Sequence, residues 1–131
     1  MRPAKSIYKT LPSVIAILFS VALLWAKNAT AAELIVYGAE HCQVSRHFEK
    51  EVTTDFAASP ASRVFPLRVV DIANGPAGVA LIEPITSTPT FVFVDKGAEI
   101  ARFVGYPGKE HFLRLVEGAA DAFVTSNAGL R

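Results

Sequence analysis

Residues 88–108 read TPTFVFVDKGAEIARFVGYPG, and no other stretch restricts the fold as tightly. Phe91, Val92, Phe93 and Val94 are apolar without alternation, so both faces of this strand require cover. Asp95-Lys96-Gly97 is a turn signal, and Glu99 to Val104 alternates as a half-buried strand does. The segment is therefore a β-hairpin with one strand more buried than the other. A hairpin of this kind cannot stand alone; it needs a neighbouring strand and layers packed on the sheet.

The remaining pieces supply them. Residues 33–38, ELIVYG, are a short apolar run ending at glycine, which fits a buried strand. From Gln43 to Phe56, Val44, Phe48, Val52 and Phe56 recur every four residues with Arg46, Glu49, Lys50 and Asp55 between them. That spacing predicts a helix with Val44, Phe48, Val52 and Phe56 on its buried face. Residues 57–63 are turn-rich and close it. PLRVVDI, 66–72, has the density of a second central strand, ANGP breaks the chain, and 77–83 are expected as a short helix. GYPG, 105–108, leads to a last helix over 109–124 with Phe112, Val116, Ala119 and Phe123 inward, and 126–131 are expected to fray. The order β-α-β-(short α)-β-β-α predicts an α/β domain on a small mixed sheet. One pair is parallel through a helical connection, one is the antiparallel hairpin, and helices lie on the faces.

The first thirty residues belong to a different kind of segment. Arg2, Lys5 and Lys9 precede the apolar run 11–26, and Ala29 and Ala31 have the spacing of a signal-peptidase site. The expectation is a secretory leader over 1–31, cut before Ala32, with 32–131 as the domain and a bacterial periplasm as destination. An uncleaved anchor is the rival, although sixteen residues fall just short of a span. Without 1–31 the chain holds nine basic and twelve acidic residues, a net charge of −3. No basic patch remains to suggest nucleic acid, and no membrane segment is left after cleavage.

Cys42 is the only cysteine, so the expected domain cannot close an internal disulfide. In an oxidising compartment a single thiol is buried and inert, paired with another molecule, or reactive. The expected helix start favours reactivity. Unpaired backbone N–H groups and the helix dipole stabilise a thiolate there. Ser45 is placed to donate to the sulfur, or simply to satisfy backbone donors. Arg46 and a protonated His41 add positive charge, and Glu40 opposes them. A metal site built from His41, Cys42 and His47 is disfavoured, because two histidines six apart on a helix diverge. No metal and no cofactor are expected.

The strand, the Cys-x-x-Ser opening a long helix, the TPT segment beginning a hairpin and the closing helix together resemble the thioredoxin fold over about 34–124. PLRVVDI and TPTFVFVDKGAEIARFVGYPGKEHF resemble the SoxS-type periplasmic thioredoxins encoded with bacterial sulfur-oxidation genes. The resemblance implies that Cys42 is the nucleophile and that Ser45 occupies the place of the resolving cysteine. It implies a cis peptide bond before Pro89, with Thr88 offering its backbone to an extended substrate segment. His41 stands where a tryptophan is common, and Val36 where many members carry a buried carboxylate. Tyr106 and Pro107 are either part of the substrate groove or merely a turn. With Ser45 in place of a second thiol, the dithiol cycle is unavailable. What remains is monothiol exchange with a protein thiol partner such as a sulfur-carrier protein, or with a small thiol, and a Cys42-linked dimer. The alternative is a binding or regulatory module without turnover.

Overall fold

The computed structural model describes residues 31–130, so the leader expected over 1–31 lies, except for Ala31, outside the described residues. Strand β1 (Glu33–Gly38) leads through a turn to helix α1 (Gln43–Ala57), a four-residue helix α2 (Ala61–Val64) and strand β2 (Leu67–Asp71). A 3-10 turn (Ile72–Asn74) and a long connection follow. Strands β3 (Thr90–Asp95) and β4 (Ala98–Val104) form the hairpin, and helix α3 (Lys109–Ala128) closes the chain. The sheet order is β2-β1-β3-β4. β1 is parallel to β2 and antiparallel to β3, and the hairpin is antiparallel, as the element order requires. Lys96 and Gly97 both have positive φ, which gives the two-residue turn the twist of its flanking strands.

Leu34 to Tyr37 and Phe91, Val92 and Val94 are essentially sealed from solvent, and Phe93 nearly so, because β1 and β3 are the two central strands. One sheet face carries Leu34, Val36, Phe91 and Phe93. These pack with Phe48, Val52 and Phe56 of α1, Ala61 of α2, Phe65, and Phe112, Val116 and Ala120 of α3. Phenylalanine rings meet edge-on within this layer, Phe48 with Phe91 at 4.9 Å and Phe65 with Phe93 at 5.0 Å.

The other face departs from the expectation of a short helix over 77–83. That segment contains no helix. It runs as turns and coil, with Ala80 bridging in parallel to Ala98. Val79 and the half-buried Ala77, Leu81 and Ile85 cover Ile35, Tyr37, Val92 and Val94. Pro76 and Pro84 with Gly75 and Gly78 punctuate the stretch too often for a helix. Polar ties hold the connection down instead. Tyr37 donates its hydroxyl to the Pro76 carbonyl at 2.9 Å. Glu99, whose side chain is almost wholly buried, accepts from Ile82 N–H at 2.8 Å and pairs with Arg102 through both carboxylate oxygens. Arg102 also donates to the Glu83 carbonyl at 2.7 Å. Among the described residues, the helices thus lie on one face and a strapped connection on the other.

Smaller corrections have local causes. The tight face of α1 takes Ser45 rather than Val44, which is 45% exposed. The connection from β1 fixes the first turn so that position 45 points at Gly38. β2 spans 67–71 rather than 66–72, and the turn-rich 57–63 include the start of α2. α3 continues four residues past 124, to Ala128, and buries Ala120 more deeply than Ala119.

Arg102 holds the Glu99 carboxyl below its ordinary pKa against the opposing effect of burial. A group depressed in this way adds stability above its unfolded pKa of about 4.3 and loses it as pH falls through the folded value. Glu99→Gln is therefore expected to cost about 1–3 kcal/mol at pH 7 in urea unfolding. The gap between variant and parent should narrow below about pH 4, in the range where the native Glu99 also becomes neutral. A constant gap across that range would remove the charge pair from the account.

Candidate functional site

The topology brings the two chemically interesting segments together. β1 and β3 are antiparallel with Tyr37 opposite Thr90, so the end of β1 lies beside the start of β3. Cys42 follows the first and Pro89 precedes the second, which unites residues 47 positions apart. The Thr88–Pro89 peptide bond is cis. Thr90 Oγ1 donates to the Ser87 carbonyl at 2.6 Å, and Gly105 N–H donates to the Pro89 carbonyl at 2.8 Å. These bonds pin the segment from both sides.

Cys42 is the N-cap of α1, with extended φ and ψ of −82° and 110°. Its carbonyl accepts the Arg46 N–H at 3.1 Å, and its own N–H donates to Ala39. The sulfur is half-buried and lies 3.5 Å from the Thr88 carbonyl, to which the protonated thiol donates. Ser45, one turn on, is 1% exposed. Its Oγ has no partner that meets hydrogen-bond geometry. A Cβ on Gly38 would lie 3.3 Å from Ser45 Cβ and 3.4 Å from Oγ, so the glycine leaves room for this side chain.

The Cys42 pKa is drawn down to about 7. Ser45's hydroxyl is the largest cause, followed by the Thr88 side chain and the backbone N–H groups of Ser45 and Val44, against a small opposing effect of burial. A hydroxyl without a hydrogen-bond partner and a hydroxyl that lowers the neighbouring pKa are reconciled by charge state. A thiol needs no donor, whereas a thiolate accepts one, and a hydroxyl with no competing partner can rotate to it. Thr88 acts in both directions. Its carbonyl favours the protonated thiol, but S–H is a weak donor, so the donors to the thiolate prevail.

His41 is exposed in the turn before Cys42 and makes no hydrogen bond or ion pair among the described residues. His47 instead meets Glu51 at 3.3 Å. Among the described residues no group of three His, Cys, Asp or Glu side chains is placed to hold a metal. Tyr106 packs against α1 rather than ending as a bare turn. Its ring meets Phe48 at 5.4 Å, and its hydroxyl, kept protonated by burial and by Glu51, donates to Glu51 at 2.7 Å. With Gln43, Val44, Arg46, His47 and Lys50 it lines an open groove of about 740 Å³. Sequence reasoning missed this groove as a unit, although the four-residue spacing of Cys42, Arg46 and Lys50 was there to be read.

A sheet of this order, with a cysteine at a helix start facing a cis-proline segment, defines a thioredoxin-like protein. The chain belongs to the thioredoxin-like domain family, whose model matches residues 19–120. Among solved structures it is similar to the periplasmic thioredoxin SoxS from Paracoccus pantotrophus in its reduced form. That match has a TM-score of 0.64 and 24% identity, covering 69% of this chain and 96% of the other. It is also similar to the Malassezia sympodialis thioredoxin Mala s 13, with a TM-score of 0.53 and 22% identity over 72% and 83% of the two chains. The Fasciola hepatica thioredoxin gives a TM-score of 0.53 and 20% identity over 76% and 91%. These likenesses show the shared fold. A comparison with curated proteins gives no match.

Proposed function

We propose that this chain is a periplasmic monothiol thioredoxin-like protein that forms mixed disulfides with a protein partner through Cys42. The observation that carries the reading is a half-exposed thiol at the N-cap of α1, 3.5 Å from the Thr88 carbonyl, and the groups around it draw its pKa down to about 7. Its thiolate attacks a partner disulfide; a Cys42–partner S–S bond forms, the original S–S bond breaks, and the electron pair leaves on the departing thiolate. Thr88 and Pro89 provide the edge along which the partner's extended segment lies. With Ser45 in place of a second thiol, the adduct persists until an outside thiol attacks it. The apolar run and Ala29/Ala31 spacing support secretion, with 1–31 removed and 32–131 as the working domain. The likeness to a periplasmic thioredoxin supports the same compartment. A sulfur-carrier protein is the partner that the resemblance nominates.

The test is the pH dependence of iodoacetamide alkylation, in the parent protein and in Ser45→Ala. The parent rate should reach half its plateau near pH 7. Removing the largest cause of the lowered pKa should move that midpoint upward, toward the free-thiol value of about 8.5. Ser45→Ala should therefore react several-fold more slowly at pH 6–7, with the two rates converging at high pH. A parent midpoint at or above the free-thiol value would favour the non-covalent binding module.

A further inference from the structure

Cys42, Arg46 and Lys50 stand four residues apart, at the N-cap and in the first turns of α1. Positions four apart on a helix drift by only about 40°, so the three form one stripe, with the cations roughly 6 and 12 Å along the axis from the cysteine. Both cationic side chains are exposed, and neither is ion-paired among the described residues. Exposure alone asks for no partner, since water solvates a lysine or arginine well. What distinguishes these two is that they line one groove together with Gln43 and Val44, the residues that directly follow Cys42 in the chain.

Most nearby carboxylates do not neutralise the stripe. Glu51 keeps its charge but is directed to Tyr106 at 2.7 Å and His47 at 3.3 Å rather than to either cation. Glu49 lies on the Gly38 side, with its Oε1 3.9 Å from where a Gly38 Cβ would be. Asp55 is paired with Lys109. Glu40, exposed in the turn before Cys42, is the one opposing charge at that end. Residues 32–131 carry a net charge of −3, so this basic stripe runs against the balance of the domain.

We infer that the groove selects an acidic peptide segment of the partner. The inference rests on the reading of Cys42 as a nucleophile and names what it acts on. An extended chain advances about 3.3 Å per residue, so carboxylates about two and four residues from the partner's reacting cysteine meet Arg46 and Lys50. The spacing is what favours a peptide. A small anionic disulfide bound at the sulfur reaches the nearer cation and leaves the farther one unused.

The experiment uses peptides with one cysteine activated as a neutral 2-thiopyridyl disulfide. Acidic, neutral amide or lysine residues are placed two and four positions away, on either side of the cysteine. Attack by Cys42 on the peptide sulfur joins the two chains and expels 2-thiopyridone, whose absorbance gives the rate. With the full chain, one of the two acidic peptides should react about fivefold faster than its neutral counterpart at low ionic strength, the scale expected for two exposed ion pairs. That advantage should fade in about 0.5 M salt, where screening is nearly complete within a few ångströms. In the double variant Arg46→Gln, Lys50→Gln the ratio of acidic to neutral peptide rates should fall to about one, a ratio in which any change in the thiol itself cancels. Neither cation is among the groups that shift the thiol. Equal rates for acidic and neutral peptides, or an advantage surviving in the double variant, would overturn the inference and leave the exchange reading intact. A Cys42 that reacts with no peptide and only sluggishly with iodoacetamide would overturn both.

Discussion

Mild oxidation of a Ser45→Cys variant is expected to give a monomer without titratable thiol, two mass units lighter than its reduced form and restored by dithiothreitol. On helical geometry, Cα atoms three residues apart lie about 5 Å from each other, within the ~4.4–6.8 Å window of disulfides. Residue 45 already points inward, at 1% exposure, and Gly38 leaves the space that a larger sulfur requires. The hydroxyl being replaced has no partner, so its removal should change the stability of the reduced domain by less than about 1 kcal/mol. The chemical consequence is larger than the structural one. A mixed disulfide on the parent Cys42 should persist until an external thiol is added. In the variant the introduced thiol should expel the bound partner within the same molecule, so the adduct decays unaided. If oxidation yields only intermolecular dimers, the two side chains do not share the space described here, and the placement of Cys42 at the helix start is wrong.

Phe112→Ala should be the most damaging single truncation in the core. Phe112 is wholly buried on α3, and its ring lies 5.1 Å from both Phe48 and Phe91, 5.8 Å from Phe56 and 6.4 Å from Tyr106. It therefore joins the closing helix to the reactive helix, to a central strand and to the wall of the groove. Emptying such a site costs about 3–5 kcal/mol, a large share of the ~5–15 kcal/mol that typically holds a domain together. For about a hundred residues, that corresponds to a fall in Tm of roughly 12–40 °C. Calorimetry or circular dichroism would measure it. The loss should also reach the groove, because Tyr106 rests on the same cluster. A fall of only a few degrees would mean that α3 contributes little to the core.

Most of the architecture was legible in the chain because periodic burial leaves a local trace. The uninterrupted Phe91–Val94 run announces a central strand, and the alternation after Gly97 announces a less buried one beside it. Phe48, Val52 and Phe56 mark a helix by their spacing alone. The misreadings sit where a local pattern competes with a distant contact. Val44 fits the apolar repeat, yet Ser45 takes the buried place, because Gly38 offers a niche that no window around residue 45 reveals. The 77–83 stretch looks helical in composition. Its backbone is nevertheless drawn out along the sheet by Tyr37, Glu99 and Arg102, which belong to other strands.

The site divides along the same line. The sequence by itself determined that there is one thiol, that it opens a helix, and that a hydroxyl rather than a second thiol follows one turn later. Those are properties of adjacent residues, set by backbone preference and covalent order. Only the tertiary structure decided that Thr88 faces that sulfur, that Ser45's hydroxyl is left without another partner, and that Tyr106 closes a groove beside Arg46 and Lys50. Each of these depends on the antiparallel pairing of β1 with β3 and on the packing of α3. Such pairings bring together residues dozens of positions apart, and local preferences carry no record of that distance.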